Sequence, residues 1–519
     1  MASFRLSHVV LVLSLIAAFV GVLLTQPRLL ESTFRCAQPD ISASCHEYDA
    51  FDKPHHASWT SWFYPNVKSK VEVATNGLGA GAMGSRPTDW NLFYHLGGVG
   101  PWVEKNIDVI EGGISPPDGC EVEQIHMMAR HAERYPTKKV GKRIKNLVER
   151  MQNSGLEFKH ELAFFNDWEL FWTHDSQIEK LTSTGPFAGT LSAFTTGVRL
   201  RTRYQQLLSR AQYQFPVTRF WASDSQRVID TARYFATGFF GYDWQKIADL
   251  EIISEASSLG ADTLTPGDTC LAYVEDVEGG HDNGYTMLDQ FRPIYLDGTM
   301  KRILANNPGL ELTHDDVYAM QEMCGFETTV RGSSPWCHVF TQEDFLGFEY
   351  ARDILHYYRA GPGTKYSAAM GWLWLNATVN LMLQGPEAGP LFFSFVHDGD
   401  IAPMITALGI LTDDEHLPVT HIKHDRKWRK SQVSPMGGRS IFEVMSCKVK
   451  DKDKVSRFVR LNINDGITVI PDCDEGPGKS CALDKFVRRT RRMGEEFGDF
   501  REKCGLDQEA ADRITFLHQ

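Results

Sequence analysis

The stretch "MMARHAERYPT" (residues 127–137) sets Arg130, His131 and Arg134 around one turn closed by Pro136. Two guanidiniums beside an imidazole repel one another unless an anion joins them, and their planar forks suit the oxygens of a phosphate. Two further clusters match them: "SDSQR", which ends in Arg227, and His397-Asp398 directly after the apolar run "LFFSFV". If the three segments converge, one pocket holds Arg130, His131, Arg134, Arg227, His397 and Asp398. Cationic neighbours keep His131 neutral in mildly acidic solution, and a neutral ring nitrogen can attack phosphorus to give a phosphohistidine. Asp398 would then protonate the departing alkoxide. Each piece alone is weak. An Arg-His pair is most often surface charge, and a His-Asp pair after a strand also serves as structural glue.

Similar local grammar surrounds all three clusters. "CEVEQIHMMAR" (120–130) reads as a buried strand, and "KKVGKRIKNLVERMQ" after Pro136 reads as an amphipathic helix. In 215–240 a strand ends at a polar turn, and a helix starts near Asp224–Ser225 with capping chemistry. In 389–411 "LFFSFV" is the strand and "IAPMITALGIL" the helix. Three strand-to-helix turns with ionisable residues at the strand ends predict an α/β sheet whose site lies at the carboxyl ends of its strands. Between the second and third turns, "THDDVYAMQEMC" and "TQEDFLGFEYARDILHYYRAG" are helical, which predicts an inserted helical subdomain.

Composition bounds the rest. The chain has 519 residues, enough for a large core, and a formal net charge of -12, which argues against a general nucleic-acid binder. "VVLVLSLIAAFVGVLL" (9–24) behind Arg5 and His8 reads as a secretory h-region, short of the roughly 20 residues a spanning helix needs. An uncleaved signal anchor is the alternative. Either way the rest of the chain meets an oxidising space, where ten cysteines become disulfides. Cys36/Cys45, Cys324/Cys337 and Cys473/Cys481 are close enough to clip local loops, while Cys120, Cys270, Cys447 and Cys504 leave three connectivities. The "NAT" at Asn376 is a glycosylation sequon. "GAGAMG" (79–84) fits a dinucleotide fingerprint, but Pro87 and the missing helical period argue against it. "HIKHD" (421–425) reads better as an exposed loop than as a metal site, and "VRRTRRM" (487–493) as a solvated helix face.

The conjunction of motifs resembles the histidine acid phosphatases, in particular the secreted fungal acid phosphatases and phytases. Their signature, R-H-G-x-R-x-P followed late by H-D, is matched by Arg130–Pro136 and His397-Asp398. "WNLFYHLGGVGPWVE", "AGTLSAFTTGVRLRTRY", "SDSQRVIDTARYF", "LHYYRAGPG" and "GGRSIFEVMSC" extend the likeness over about residues 35–505. The resemblance implies a mixed sheet flanked by helices with an inserted smaller helical domain. On this reading residues 1–26 are the signal or anchor, 35–260 and 356–519 the discontinuous α/β domain, and 261–355 the insert. It implies His131 as nucleophile, Asp398 as proton donor, and Arg130, Arg134, Arg227 and His397 as the phosphate-holding set, with no metal and no cofactor. It also favours Cys120–Cys447 and Cys270–Cys504. Small phosphorylated compounds are the expected substrates, with no nucleic-acid partner and no membrane partner beyond an N-terminal anchor. The expected location is secreted or in the cell wall or periplasmic space, with anchoring by the N-terminal segment as the alternative.

One position departs from the family. Ala132 stands where glycine is usual, which costs little at negative φ and about 1 kcal/mol or more at positive φ. A broad phosphatase is favoured over a phytase, because no decisive basic cluster is seen in the helical region and Glu133 adds acidity. A phosphate-binding protein that has lost turnover, or a wall glycoprotein, are the rivals from other classes; the intact His131, Asp398 and arginines speak against both.

Overall fold

The computed structural model describes residues 90–448 and 455–519. The N-terminal apolar run, Cys36, Cys45 and the glycine-rich 79–84 lie outside the described residues.

Strand β1 (Cys120–Arg130) is buried without interruption from Gln124 onward, and β4 (Leu391–Val396) is buried along its whole length. Strands covered on both faces read as continuous apolar runs, which is why both were visible in the sequence. With β2 (Thr218–Ser223), β3 (Ala248–Ile253), β5 (Arg439–Lys448), β6 (Val455–Ile463) and β7 (Gly466–Thr468) they form one sheet in the order β3-β2-β4-β1-β5-β6-β7. The short β8 (Cys481–Ala482) pairs with β6. The β3, β2, β4 and β1 neighbours run parallel, and pairing turns antiparallel from β5 onward. The mixed sheet expected from the sequence is present.

Helix α1 (Lys138–Gln152) follows β1 and buries Ile144, Leu147, Val148 and Met151 on one face. Helices α2 (Gly189–Arg203), α3 (Gln205–Gln214) and α4 (Gln226–Phe239) come next. Helices α2 and α4 cross at glycines: a Cβ on Gly197 would overlap the carbonyl oxygen of Phe235, and one on Gly238 that of Phe194. Helix α4 starts at Gln226 with Ser225 as its N-cap, but the Ser225 side chain makes no capping bond. Between β3 and β4 come α5 (Asn283–Asn306), α6 (His314–Arg331), α7 (Gln342–Ala360) and α8 (Ser367–Gln384). Thr313 with Asp316 and Thr341 with Asp344 close capping boxes that begin α6 and α7. The boundary expected at 355 falls inside α7. Helix α9 (Asp398–Ala407) begins at Asp398 and not at Ile401, because His397 caps it: the His397 N–H donates to Asp400 Oδ2 at 2.9 Å. A short turn, α10 (Lys430–Val433), and α11 (Leu483–Phe497) complete the helices that matter for the site.

Among the described residues four disulfides join Cys120–Cys447, Cys270–Cys504, Cys324–Cys337 and Cys473–Cys481, as expected from the sequence and the resemblance. Cys120 and Cys447 are directly opposite in the β1/β5 register. Asn376 lies half-buried within α8 with Thr378 buried beside it. Among the described residues no helix is long and apolar enough to cross a membrane. The 421–425 segment is a largely exposed turn, and 487–493 forms part of the amphipathic α11.

Candidate active site

Register brings the chemistry together. Arg130 pairs with Val396, Ala222 with Phe395, and Ser223 with Ile253, so β1, β4, β2 and β3 end level with one another. His131 follows β1, His397 follows β4, and Arg227 lies in the first turn of α4 after β2. The His131 N–H donates to the Val396 carbonyl at 3.0 Å, and the rings of His131 and His397 stand 5.7 Å apart, edge to face. This is the carboxyl edge of the parallel strands, where crevices form.

The turn carrying His131 is built around its alanine. Ala132 has a negative φ, its N–H donates to Thr231 Oγ1 at 3.0 Å, and its methyl is buried against Leu181 and Ala193. Close approach is supplied instead by Gly189 at the start of α2, where a Cβ would overlap the carbonyl oxygen of Glu133. Glu133 does not face solvent: it is buried, and its Oε1 accepts from the Trp102 N–H at 2.9 Å. Burial pushes its carboxyl up to about 6, against hydrogen bonds that lower it.

His131 is 1% exposed, and its Nδ1 lies 2.9 Å from the Ala132 carbonyl oxygen. A carbonyl only accepts, so Nδ1 carries the hydrogen and the lone pair sits on Nε2. Arg134 Nε points at that Nε2 from 3.4 Å. Burial, then Arg130, Arg134 and Arg227, hold the imidazole well below its usual range, so it is neutral at acidic pH. Arg134 is itself pushed down to about 9 by burial and by Arg130 and Arg227. Cations this crowded favour an incoming anion.

On the other side, Arg227 Nη2 donates to His397 Nδ1 at 3.3 Å, and His397 Nε2 meets Glu255 Oε1 at 2.9 Å. Asp398 is held by Arg130 Nη2 at 3.3 Å and Lys430 Nζ at 3.0 Å. Burial alone would raise its carboxyl, yet Arg130, Lys430 and His356 pull it well below the usual carboxylate range. All six residues expected from the sequence therefore meet in one place.

Sequence reasoning missed Glu255, His356 and Lys430, because nothing in "SEAS", "LHYY" or "WRKS" signals that these segments approach the strand ends. It also missed a cleft of about 680 Å³ that reaches Arg227 and is lined by Lys138, Lys142, Lys145 and Lys180. Here a signal was available: Lys138, Lys142 and Lys145 recur at helical spacing on α1. The cluster lies on the helix after the signature, not in the inserted helices.

A family model for the histidine phosphatase superfamily (branch 2) matches residues 121–464. The chain is 34% identical to a phytase of Candida albicans, covering 82% of this chain and 90% of the relative. It is 32% identical to an acid phosphatase of Komagataella pastoris, covering 81% and 88%. The crystal structure of a phytase from D. castellii superposes with a TM-score of 0.76 at 33% identity, covering 82% of this chain and 90% of that one.

Proposed function

The chain belongs to the histidine phosphatase superfamily, branch 2, and on that premise we propose that it is a phosphoric monoester hydrolase of the acid phosphatase type working through a phosphohistidine. One observation carries the reading: a buried, neutral His131 whose Nδ1 is tied to a carbonyl, leaving the Nε2 lone pair among three arginines. Arg130, Arg134 and Arg227, with His397, hold the three non-bridging oxygens. Nε2 attacks phosphorus, the P–O ester bond breaks, and Asp398 gives its proton to the leaving oxygen. Water then attacks phosphorus and gives a proton to Asp398, the P–N bond to His131 Nε2 breaks, and inorganic phosphate leaves. A negative φ at Ala132 removes the main reason to suspect lost turnover. The four disulfides suit an oxidising compartment, and the proposed location is secreted or in the cell wall.

A second reading has its own support. Four lysines around a cleft that reaches Arg227 fit a substrate carrying several phosphates, such as inositol hexakisphosphate. Purified protein, assayed at mildly acidic pH, should release inorganic phosphate from p-nitrophenyl phosphate. A kcat/KM higher for inositol hexakisphosphate, lost in a Lys138/Lys142 double variant, would favour the phytase. His131→Ala should abolish turnover of both substrates with the fold intact, and robust hydrolysis by that variant would defeat the mechanism.

A further inference from the structure

The proton-donor reading raises a problem that geometry helps to answer. A group that must deliver a proton is surrounded by cations. The three ion pairs of the Asp398 carboxylate meet on one oxygen, Oδ2: Lys430 Nζ at 3.0 Å, Arg130 Nη2 at 3.3 Å and His356 Nδ1 at 3.7 Å. Among the described residues none of these ion pairs falls on Oδ1.

Arg130 and Lys430 differ in what else they do. Arg130 lies in the phosphate-holding set, so an arriving phosphate competes with Asp398 for its Nη2. Lys430 is 0% exposed, and its ammonium is completed by the carbonyl and the hydroxyl of Ser434. With Ser434 accepting twice and Asp398 Oδ2 paired at 3.0 Å, the ammonium is turned to the protein and away from solvent. The backbone is equally fixed: the Lys430 N–H donates to Asp353 Oδ1 at 2.6 Å, and Asp353 is held by Arg426. On the far side, Arg352 Nη2 donates to His356 Nε2 at 3.1 Å, which leaves the His356 hydrogen on Nδ1, facing Oδ2.

We propose that Lys430 is a positioning residue for the proton-donating step: it pins Oδ2 of Asp398, presents Oδ1 to the leaving-group oxygen, and sets the pH at which turnover of poor leaving groups falls away. This rests on the reading of Asp398 as proton donor. The proton travels on Oδ1, and its O–H bond breaks as the leaving oxygen's O–H bond forms; Lys430 takes no part in the transfer, its amine held well below the usual range by burial and then Arg130, against Asp398, which raises it. Other charged groups bear on the pair. Arg352 and Arg359 face it from α7, and Arg130 from the end of β1. Asp400, on Asp398's own helix, has its carboxyl raised well above the usual range by burial, against the His397 N–H, which lowers it. Removing the ammonium takes away a cation that favours the carboxylate, so the acid form persists to higher pH.

The test is the pH profile of kcat for glycerol phosphate and p-nitrophenyl phosphate in wild type, Lys430→Met, Lys430→Gln, Lys430→Arg and Asp398→Asn, each checked by thermal melting. In Lys430→Met the alkaline limb for glycerol phosphate should move up by about 1 pH unit. The limb for p-nitrophenyl phosphate, whose leaving group departs without a proton, should move much less. Lys430→Gln keeps a donor without charge and should shift the same way, which preserves the test if the methionine variant does not fold. Lys430→Arg should hold the wild-type limb. A folded Lys430→Met or Lys430→Gln with its limb unmoved, or Lys430→Arg shifted as far as Lys430→Met, overturns the inference. If Asp398→Asn loses both substrates equally, the proton-donor reading fails, and this inference with it. If Asp398→Asn spares p-nitrophenyl phosphate while the lysine variants leave the limb in place, only the inference fails.

Discussion

Ala132 shows how one side chain can look wrong in a motif and be right in a fold. Its methyl fills a small apolar space between Leu181 and Ala193, and its φ needs no glycine. Its N–H is anchored on Thr231, so the turn is held from α4 and does not depend on a permissive backbone. Ala132→Gly should therefore bring no gain in kcat. It should lower the unfolding free energy by about 0.5–1 kcal/mol, since glycine has more freedom to lose and leaves the space empty. Urea titration alongside steady-state kinetics checks both parts, and a clear rise in kcat would show that the methyl strains the phosphate seat.

At the scale of elements, the site depends on how closely α2 and α4 approach. Helix α4 carries Arg227 in its first turn and Thr231 one turn later, so its position sets both a phosphate ligand and the anchor of the Ala132 turn. The crossing is permitted because Gly197 and Gly238 present bare backbone to each other's helix. A methyl at Gly238 must push the helices apart, and overpacking of this kind costs typically 1–3 kcal/mol. Gly238→Ala should lower the melting temperature and raise KM through displaced Arg227. A variant that loses stability but keeps its KM would mean that the shift is absorbed at the far end of α4.

Over the whole molecule, acid should erode stability through one buried ring. His126 in β1 is 0% exposed, stacks on Phe392 with centroids 4.6 Å apart, and neither ring nitrogen finds a partner among the described residues. Burial lowers it to about 3. Because the native value lies below the ordinary one, the unfolded chain takes up a proton that the native state refuses. This contribution is at its full value above about pH 6.5 and is lost as pH falls toward 3, at roughly 1.4 kcal/mol per pH unit. Glu133 and Asp353, both raised to about 6 by burial, work the other way: they stabilise in acid and lose that contribution as pH rises through 6. His126→Phe keeps the stacking and removes the titration. Its gain in unfolding free energy should be about 2–3 kcal/mol larger at pH 4.5 than at pH 7.5. Equal effects at the two values would mean that the ring takes up a proton in the native state.

The sequence by itself determined the strands β1, β2 and β4, the helices that follow them, and the six residues at their junctions. Their signals are local: continuous apolar runs, helical periodicity, capping residues and a dense charge motif. It also carried, unread, the lysine row of α1, whose spacing is a local signal too. Glu255, His356 and Lys430 were decided by tertiary structure alone. Glu255 reaches His397 because β3 and β4 flank β2 in the sheet, and Lys430 reaches Asp398 because Asp353 holds its backbone across a gap of many residues. The cost of Ala132 likewise depended on a φ and a neighbouring helix that no motif records. Local patterns follow from short-range sterics and amphipathicity, whereas the field around a titrating group is summed over everything the fold brings within a few ångströms of it.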